Sequence, residues 1–362
     1  MARFLLCSLS YCWLLLCWSS IPSFAQCAID ELFEDHVAPS ANTAGQFFTS
    51  PSVDFIQIPS TITDEVSFAI VVWKPTQPAP VLLLSHGWHQ SVQVPRAGDQ
   101  NPYPGFLTVQ VDMRGRRYST GTPDANGYEL YDFYDAYRYV INQYADHISD
   151  ATTAYYLGGS GGGGNGYGLV GKFPDLFTSA VVLAGMSDYA EWYRQDSIEG
   201  EFRDELLPWI GTTPEANPTA YASRSGITTV PNLLTPLYII HGKTDVRVPS
   251  SHARNYVDQA QRYHKEVHYL ELDSVGTRNH WGRITPRQAA QKQAWIHRGL
   301  HKHQQPPVLP EQGTLVVAGY VVTRHFSVFL NSIDDLGQVD YDVRVKKATL
   351  RGASGNIVWH SP

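Results

Sequence analysis

The sequence predicts an α/β fold built on a mostly parallel, doubly wound β-sheet, with a lid insertion and a small C-terminal β segment. Three observations support this prediction. Between residues 53 and 300, strand-like and helix-like runs alternate, which is typical of a parallel sheet covered on both faces. Several strand-like runs are continuously apolar, as strands buried on both faces are. Beyond residue 310, the alternation gives way to short β-rich runs.

Residue type and spacing predict the elements of the main domain. Strands are indicated by β-branched and aromatic residues or by apolar runs, and they are Val53–Ile58, Val66–Trp73, Pro80–Ser85, Phe106–Asp112, Tyr155–Leu157, Ser179–Ala184, Pro236–Ile240 and Val267–Leu272. Helices are indicated by apolar residues that recur on one face, and they are Glu129–His147, Ser250–Tyr263 and Pro286–His301.

Three further segments complete the predicted organisation. Residues 189–234 interrupt the alternation with aromatic residues among prolines and charges, which predicts a lid over one end of the sheet. Residues 304–310 (QQPPVLP) have the composition of a linker, so the main domain spans 26–303. Residues 311–362 contain three predicted strands, Gly313–Tyr320, His325–Leu330 and Val339–Val345, with a turn at residues 334–337. Because so short a segment buries little surface by itself, we expect it to pack on the main domain.

Residues 1–25 are typical of a secretory signal peptide. One early positive charge precedes the apolar run Phe4–Trp18, and small residues at 23 and 25 predict cleavage after residue 25. The protein is therefore predicted to be secreted or periplasmic. The apolar run is shorter than the roughly 20 residues of a membrane span, so we expect no span in the mature protein. Of the four cysteines only Cys27 would remain after cleavage, which excludes an internal disulfide.

Composition excludes two classes of protein. Hydrophobic residues make up 43% of the 362 residues, so the chain is not disordered by composition. The formal net charge is -7, which gives no support for a nucleic-acid partner.

The stretch Gly158–Gly162 (GGSGG) matches G-x-S-x-G directly after a predicted strand and before a helix-like segment. This is the context of a nucleophile elbow, a sharp turn that lifts the serine hydroxyl above the ends of the strands. Ser160 is therefore the predicted nucleophile. A glycine-rich turn without chemistry is the alternative, but it leaves the residues described next unexplained.

A serine nucleophile needs a base, and the base needs an orienting acid. In the expected chain order the acid follows the serine and the histidine comes last. Asp245 (in HGKTDVRVP) and His280 (in TRNHWG) follow strands in that order. Both lie in loops at the carboxyl ends of strands, where the active sites of open α/β sheets lie. His280 is the predicted general base and then acid, Asp245 orients it, and Asp188 is the rival acid.

Acyl transfer also requires donors for the oxyanion. The Gly161 amide follows the nucleophile and is the first predicted donor. The second is the Trp88 amide in the loop after PVLLLS, with His89 as the alternative. Aromatic side chains suit flat or sugar-like ligands, so we further predict that substrate is contacted by His89, Trp88, Trp192, Trp209 and Trp281. The position of Trp88 and Trp281 beside predicted catalytic residues favours the cleft, whereas Trp192 and Trp209 could equally belong to the core.

Other patterns in the sequence are weaker. Residues 159–164 fit a dinucleotide-binding G-x-G-x-x-G and residues 166–172 resemble a phosphate loop, although Phe173 stands where serine or threonine would bind magnesium. His297, His301 and His303 could be metal ligands, but a solvated helix end explains them equally well. We therefore expect no cofactor and no metal ion.

Taken together, these segments resemble the α/β-hydrolase superfamily and, within it, the catalytic domain of the prolyl oligopeptidase family. The likeness extends from about Val81 to His301. It rests on the segments VDMRG (111–115), the acidic-aromatic helix at 131–144, GGSGGG (158–163), FPDLF (173–177), AVVLAGMSDY (180–189) and HGKTDVRVP (241–249). The resemblance implies the α/β-hydrolase fold and a serine hydrolase with the triad named above.

The sequence departs from that family in three places. The elbow continues as Gly163-Gly164-Asn165, where these peptidases usually have an aromatic residue, and Asn279 stands where a glycine is common before the histidine. The segment before PVLLLS is also too short for the β-propeller with which the family's peptidases restrict their substrates. We therefore expect an open or lid-covered site, which suits an esterase better.

The sequence thus predicts a secreted serine hydrolase that cleaves carboxylic esters of small-molecule or polymer substrates, such as acylated carbohydrates or polyesters, through an acyl-serine intermediate. The alternative is a prolyl oligopeptidase-like exopeptidase or oligopeptidase. A non-catalytic binding protein on a hydrolase scaffold is the third reading.

Overall fold

An eight-stranded β-sheet forms the centre of this computed structural model, which describes residues 33–35, 46–196 and 200–360. The predicted signal peptide and Cys27 lie outside these residues. The strands of the main domain are β1 (Phe33–Asp35), β2 (Val53–Pro59), β3 (Ser67–Trp73), β4 (Val81–Ser85), β5 (Gln90–Val92), β6 (Leu107–Asp112), β7 (Ala154–Gly159), β8 (Ser179–Leu183), β9 (Leu237–Gly242) and β10 (Val267–Leu272). All eight predicted strands are present, and within the described part of the main domain the short pair β1–β5 is additional.

The sheet is mostly parallel, as predicted. Its strand order is β10-β9-β8-β7-β4-β6-β3-β2. The run from β10 to β6 is parallel throughout, whereas β3 pairs antiparallel with both β6 and β2. The central strands β4, β6, β7, β8 and β9 are almost entirely buried, which explains their continuous apolar sequence. Because parallel strands end at the same edge, the loops after β4, β7 and β9 converge there.

Helices cover both faces of the sheet. They are α1 (Glu129–Gln143), α2 (Gly161–Lys172), α3 (Tyr189–Gln195), α4 (Arg203–Ile210), α5 (Pro218–Ala222), α6 (Ser251–Arg262) and α7 (Pro286–His301). Apolar side chains of α1, α2 and α6 join the core on one face, and those of α7 join the core on the other. The helix predicted to reach residue 147 ends at Gln143 and is followed by a 3-10 turn. None of the helices in the described ranges is long and apolar enough to span a membrane.

The predicted lid consists of α3, α4, α5 and the 3-10 segment Gly226–Asn232. Apolar side chains of α3, α4 and α5 form a separate cluster around Trp88, which belongs to the loop after β4, whereas Val230 of the 3-10 segment joins the main core. The lid therefore packs on the same sheet edge to which the catalytic loops converge.

The C-terminal segment is a six-stranded antiparallel sheet, made of β11 (Gln312–Ala318), β12 (Tyr320–Val322), β13 (Phe326–Leu330), β14 (Leu336–Asp342), β15 (Lys347–Arg351) and β16 (Gly355–Trp359). The sequence predicted only three strands here. The two strands it missed entirely, β15 and β16, are the sheet edges and alternate between exposed and half-buried residues, so they carry little apolar signal.

This segment packs on the main domain, as expected from its size. Tyr320 is buried in the main core, and its hydroxyl donates to Gly127 O at 3.1 Å. Lys172, at the end of α2, donates to Ala318 O and lies 4.5 Å from the Tyr320 ring centroid. The C-terminal sheet is therefore held by the same core that supports the helix after the nucleophile.

Candidate active site

The predicted nucleophile elbow lies at the carboxyl end of β7. Ser160 follows this strand and caps the N-terminus of α2. Its backbone has φ +55°, in the left-handed region that residues other than glycine seldom adopt. The Ser160 N–H donates to Leu183 O at 2.8 Å, which holds the turn against β8. This geometry presents the serine hydroxyl above the sheet edge.

The three residues predicted as a triad lie in hydrogen-bond contact. His280 Nε2 is 2.8 Å from Ser160 Oγ, and His280 Nδ1 is 2.6 Å from Asp245 Oδ2. When Nδ1 donates its proton to the carboxylate, Nε2 carries the lone pair that accepts the serine proton. The arrangement can therefore activate the serine and return the proton to a leaving group.

Asp245 is held by its own loop as well as by the histidine. Its Oδ1 accepts from the N–H groups of Arg247 at 2.9 Å and Val248 at 3.1 Å. The side chain is fully buried. The rival acid, Asp188, instead caps α3, where its Oδ1 accepts from the N–H groups of residues 190 and 191. The structure thus places Asp245, and not Asp188, against the catalytic histidine.

Two buried histidines lie behind Asp245. His241 Nε2 donates to Val248 O at 2.8 Å and is 3.7 Å from Asp245 Oδ2. In the described part of the chain, neither ring nitrogen of His252 has a hydrogen-bond partner. Burial lowers the pKa of both histidines. Both are therefore neutral near pH 7, and no second imidazolium competes with His280 for the carboxylate.

The buried His252 should make folding sensitive to acid. A histidine in an unfolded chain binds a proton near pH 6.5, whereas burial lowers the pKa of His252 to about 3. Between these values the unfolded state binds more protons, so the free energy of unfolding should decrease as pH falls, by up to about 1.4 kcal/mol per pH unit. We expect His252→Phe to remove this contribution, measured by urea unfolding at pH 7 and pH 5. An unchanged difference between the two pH values would contradict the assignment.

The two predicted oxyanion donors are neighbours. β4 and β7 are adjacent, with Ser85 opposite Gly158, so the loops that follow them meet. A Cβ at Gly161 would lie 2.5 Å from Trp88 N, which places the Trp88 backbone directly over the first turn of α2. Ser85 Oγ donates to Asn165 Oδ1 at 2.7 Å and ties the loop to this helix. Asn165, a departure from the family pattern, thus has a structural role.

The triad opens into a cavity of about 520 Å³. Its walls combine aromatic, cationic and amide side chains, including Trp88, His89, Phe202, Arg247, Arg278, Asn279, Trp281, Lys292 and Gln293. Of the described residues that line it, none is aspartate or glutamate. The cavity wall is therefore better suited to neutral or anionic groups than to ammonium groups.

Glu205 and Glu201 connect the lid to the catalytic loops. Trp88 Nε1 donates to Glu205 Oε2, and His89 Nε2 is 2.9 Å from the same oxygen. Glu201 Oε1 pairs with Arg247 Nη2 at 2.5 Å. Sequence analysis missed these acids because their partners are 46 to 117 positions away and no motif contains them.

The side chains predicted to contact substrate fall into two groups. Trp88, His89 and Trp281 line the cavity. Trp192 and Trp209 do not: they pack behind Trp88, with ring centroids 4.9 and 4.7 Å from its ring. Trp192 is only 1% exposed. These two rings form the lid core and support the cavity wall from behind.

The remaining sequence patterns are the glycine-rich stretch 159–172 and the three histidines near residue 300. Residues 166–172 lie inside α2 and are buried, so the glycines there form a helix and not a phosphate loop. This placement contradicts a phosphate loop at residues 166–172. His297 and His301 lie one turn apart on α7, with ring centroids 4.3 Å apart. Neither belongs to a three-residue metal cluster in the ranges that the structure describes.

Comparison with known proteins gives one family match. A model described as the prolyl oligopeptidase family matches residues 103–303, which is more than half of the chain. No protein in the curated set that was searched matched.

Solved structures share the fold at low sequence identity. An acylaminoacyl peptidase from Pyrococcus horikoshii is 19% identical over 71% of this chain and 43% of its own, with a TM-score of 0.58. A putative dipeptidyl aminopeptidase IV from Bacteroides ovatus is 16% identical over 71% of this chain and 36% of its own, with a TM-score of 0.57. A puromycin-hydrolyzing peptidase from Mycobacterium tuberculosis is 16% identical over 68% of this chain and 39% of its own, with a TM-score of 0.54. The chain thus spans less than half the length of each.

Proposed function

The chain belongs to the prolyl oligopeptidase family of serine hydrolases, and we propose that it is exported and cleaves carboxylic esters. The observation that carries the ester proposal is the Ser160–His280–Asp245 contact beneath a cavity whose described lining residues include no aspartate or glutamate. Ester cleavage requires a nucleophile, a proton carrier and oxyanion donors, and each has a residue in this site.

The reaction follows from these positions. His280 takes the Ser160 proton as Oγ attacks the ester carbonyl carbon, and the N–H groups of Gly161 and Trp88 stabilise the oxyanion that develops. His280 then gives the proton to the departing alcohol, which leaves an acyl group on Ser160. A water molecule, deprotonated by His280, releases the acid and restores the serine.

The charges of the cavity favour esters over peptides with a free amino terminus. An exopeptidase that holds a substrate ammonium group needs a carboxylate to pair with it. The nearby acids, Glu201 and Glu205, are already paired with Arg247, His89 and the Trp88 indole. The cationic side chains of the wall would repel an ammonium group instead.

The aromatic walls favour esters with a bulky alcohol part. Trp88, in the loop after β4, and Trp281, next to His280, both line the cavity, and such rings provide flat apolar area with a polar edge. An acylated carbohydrate or a polyester-like substrate, neutral or acidic, matches this combination of rings and cations. The family and the solved structures support the second candidate, a serine exopeptidase or oligopeptidase.

A substrate panel would separate these candidates. We expect the exported protein, with its mature N-terminus at Gln26, to hydrolyse short-chain p-nitrophenyl esters and acetylated sugars at rates at least 100-fold above Gly-Pro and aminoacyl p-nitroanilides. Ser160→Ala should abolish both ester turnover and fluorophosphonate labelling. Higher activity on the p-nitroanilides than on the esters would show that the protein is a peptidase. If the fluorophosphonate does not label the wild-type protein, a non-catalytic binding protein is favoured.

A further inference from the structure

Three side chains of metal-ligating type meet beside the amino end of β10, at the end of the main sheet opposite the active site. Glu266 immediately precedes β10 and His268 is its second residue, so both lie at the amino end of this strand. His303 follows the end of α7. One ligand atom from each residue lies within 4.8 Å of the other two. The catalytic loops, by contrast, leave the carboxyl ends of the parallel strands.

Two of the three distances between these atoms are close to those around a small metal ion. Glu266 Oε1 is 3.0 Å from His268 Nε2 and 3.6 Å from His303 Nε2. Tetrahedral zinc bonds to nitrogen and oxygen are about 2.0–2.1 Å long, which puts ligand atoms roughly 3.3 Å apart. The distances from Glu266 to the two histidines, 3.0 and 3.6 Å, lie just below and just above this value.

Two tyrosines of the core position the histidines. The His268 ring stacks on Tyr238, its partner on β9, with ring centroids 4.4 Å apart. Tyr155 Oη donates to His303 O at 2.6 Å, and Tyr238 Oη is 3.2 Å from His303 Nε2. Both imidazoles are therefore held near each other before an ion binds. Binding would then cost little conformational entropy, because the side chains are already ordered.

A metal ion at this point would share Glu266 with a neighbouring positive charge. The Lys302 ammonium, 3.7 Å from Glu266 Oε1, is the competing cation.

We infer that Glu266, His268 and His303 bind one zinc ion, with water completing the coordination. Imidazole and carboxylate ligands are typical for zinc. Because the ligands come from the edge strand and from the end of α7, the ion would join these two elements just before the linker to the C-terminal sheet. The site is structural, since it lies at the sheet edge away from the triad.

Isothermal titration of the tag-free mature protein with zinc chloride tests this inference. We expect one zinc ion per chain and a rise in the melting temperature when zinc is added. Glu266→Gln and His303→Gln should each weaken binding at least tenfold, whereas Lys302→Met should strengthen it because the competing charge is gone. Ester hydrolysis without added metal should stay the same in all three variants.

His297→Gln is the matched control, because it removes a histidine of α7, the helix that precedes His303, and His297 is not a ligand; it should leave binding unchanged. Circular dichroism without metal verifies that each variant is folded. The inference is overturned if the wild type binds no zinc, if Glu266→Gln and His303→Gln bind as the wild type does, or if His297→Gln is the variant that loses binding.

Discussion

Replacing Asp245 with asparagine should lower kcat/KM on p-nitrophenyl acetate by about 10⁴-fold while the protein stays folded. The reason is the tautomer of His280. Asp245 Oδ2 accepts the Nδ1 proton, and this leaves Nε2 free to accept the proton of Ser160. An asparagine amide can donate to Nδ1 instead, which moves the ring proton to Nε2 and removes the base.

Asp188→Asn is the matched control for this experiment. Asp188 was the rival acid in the sequence, but it caps α3 and accepts two backbone N–H groups. Because asparagine is also a good N-cap residue, this variant should keep its stability and its activity within a few fold. A large loss of turnover in Asp188→Asn, together with an active Asp245→Asn, would reverse the assignment of the acid.

Replacing Gly161 with alanine should lower kcat by about 10²- to 10³-fold, the range seen when an oxyanion donor is lost. The added Cβ would lie 2.5 Å from Trp88 N and 2.6 Å from Trp88 Cα. Since real side chains do not approach backbone so closely, the loop after β4 must move away. The Trp88 amide would then no longer point at the developing oxyanion, although Ser160, His280 and Asp245 would be unchanged.

Gly159→Ala, two residues earlier, provides the comparison. Its Cβ would meet Leu183 Cβ at 3.6 Å, an ordinary van der Waals contact. We therefore expect nearly wild-type turnover for this variant, with kcat measured on the same ester and folding verified by circular dichroism. Equal activity of the two variants would show that the loop after β4 does not supply an oxyanion donor.

The residues of the candidate triad could be predicted from the sequence because each is marked by its immediate surroundings. Ser160 stands between a strand and a helix-like segment, and Asp245 and His280 stand in loops after strands. In a parallel sheet those loops converge whatever the details of packing. The strand pattern alone therefore predicts that the three residues lie at the same end of the sheet. The structure adds the contacts of His280 with Asp245 at 2.6 Å and with Ser160 at 2.8 Å.

The structure of the lid and of the C-terminal sheet is harder to predict from the sequence. Trp192 and Trp209 were predicted to contact substrate because they are aromatic, and aromatic residues serve equally well in a lid core. The edge strands β15 and β16 escaped prediction because alternating exposed and half-buried residues give a weak apolar pattern. In both cases the deciding information is which surface each side chain faces, and this depends on elements far away in the chain.

By itself the sequence determined the class of fold, and it predicted the nucleophile with its base and acid and the loop with the second oxyanion donor, because local pattern and chain order point to them. Only the tertiary structure decided that Glu205 holds the Trp88 indole and that Glu266 and His268 meet His303. These partners are 35 to 117 positions apart, and no local pattern encodes them. Such contacts arise when helices and edge strands pack together, so they follow from the assembled core rather than from any segment of the chain.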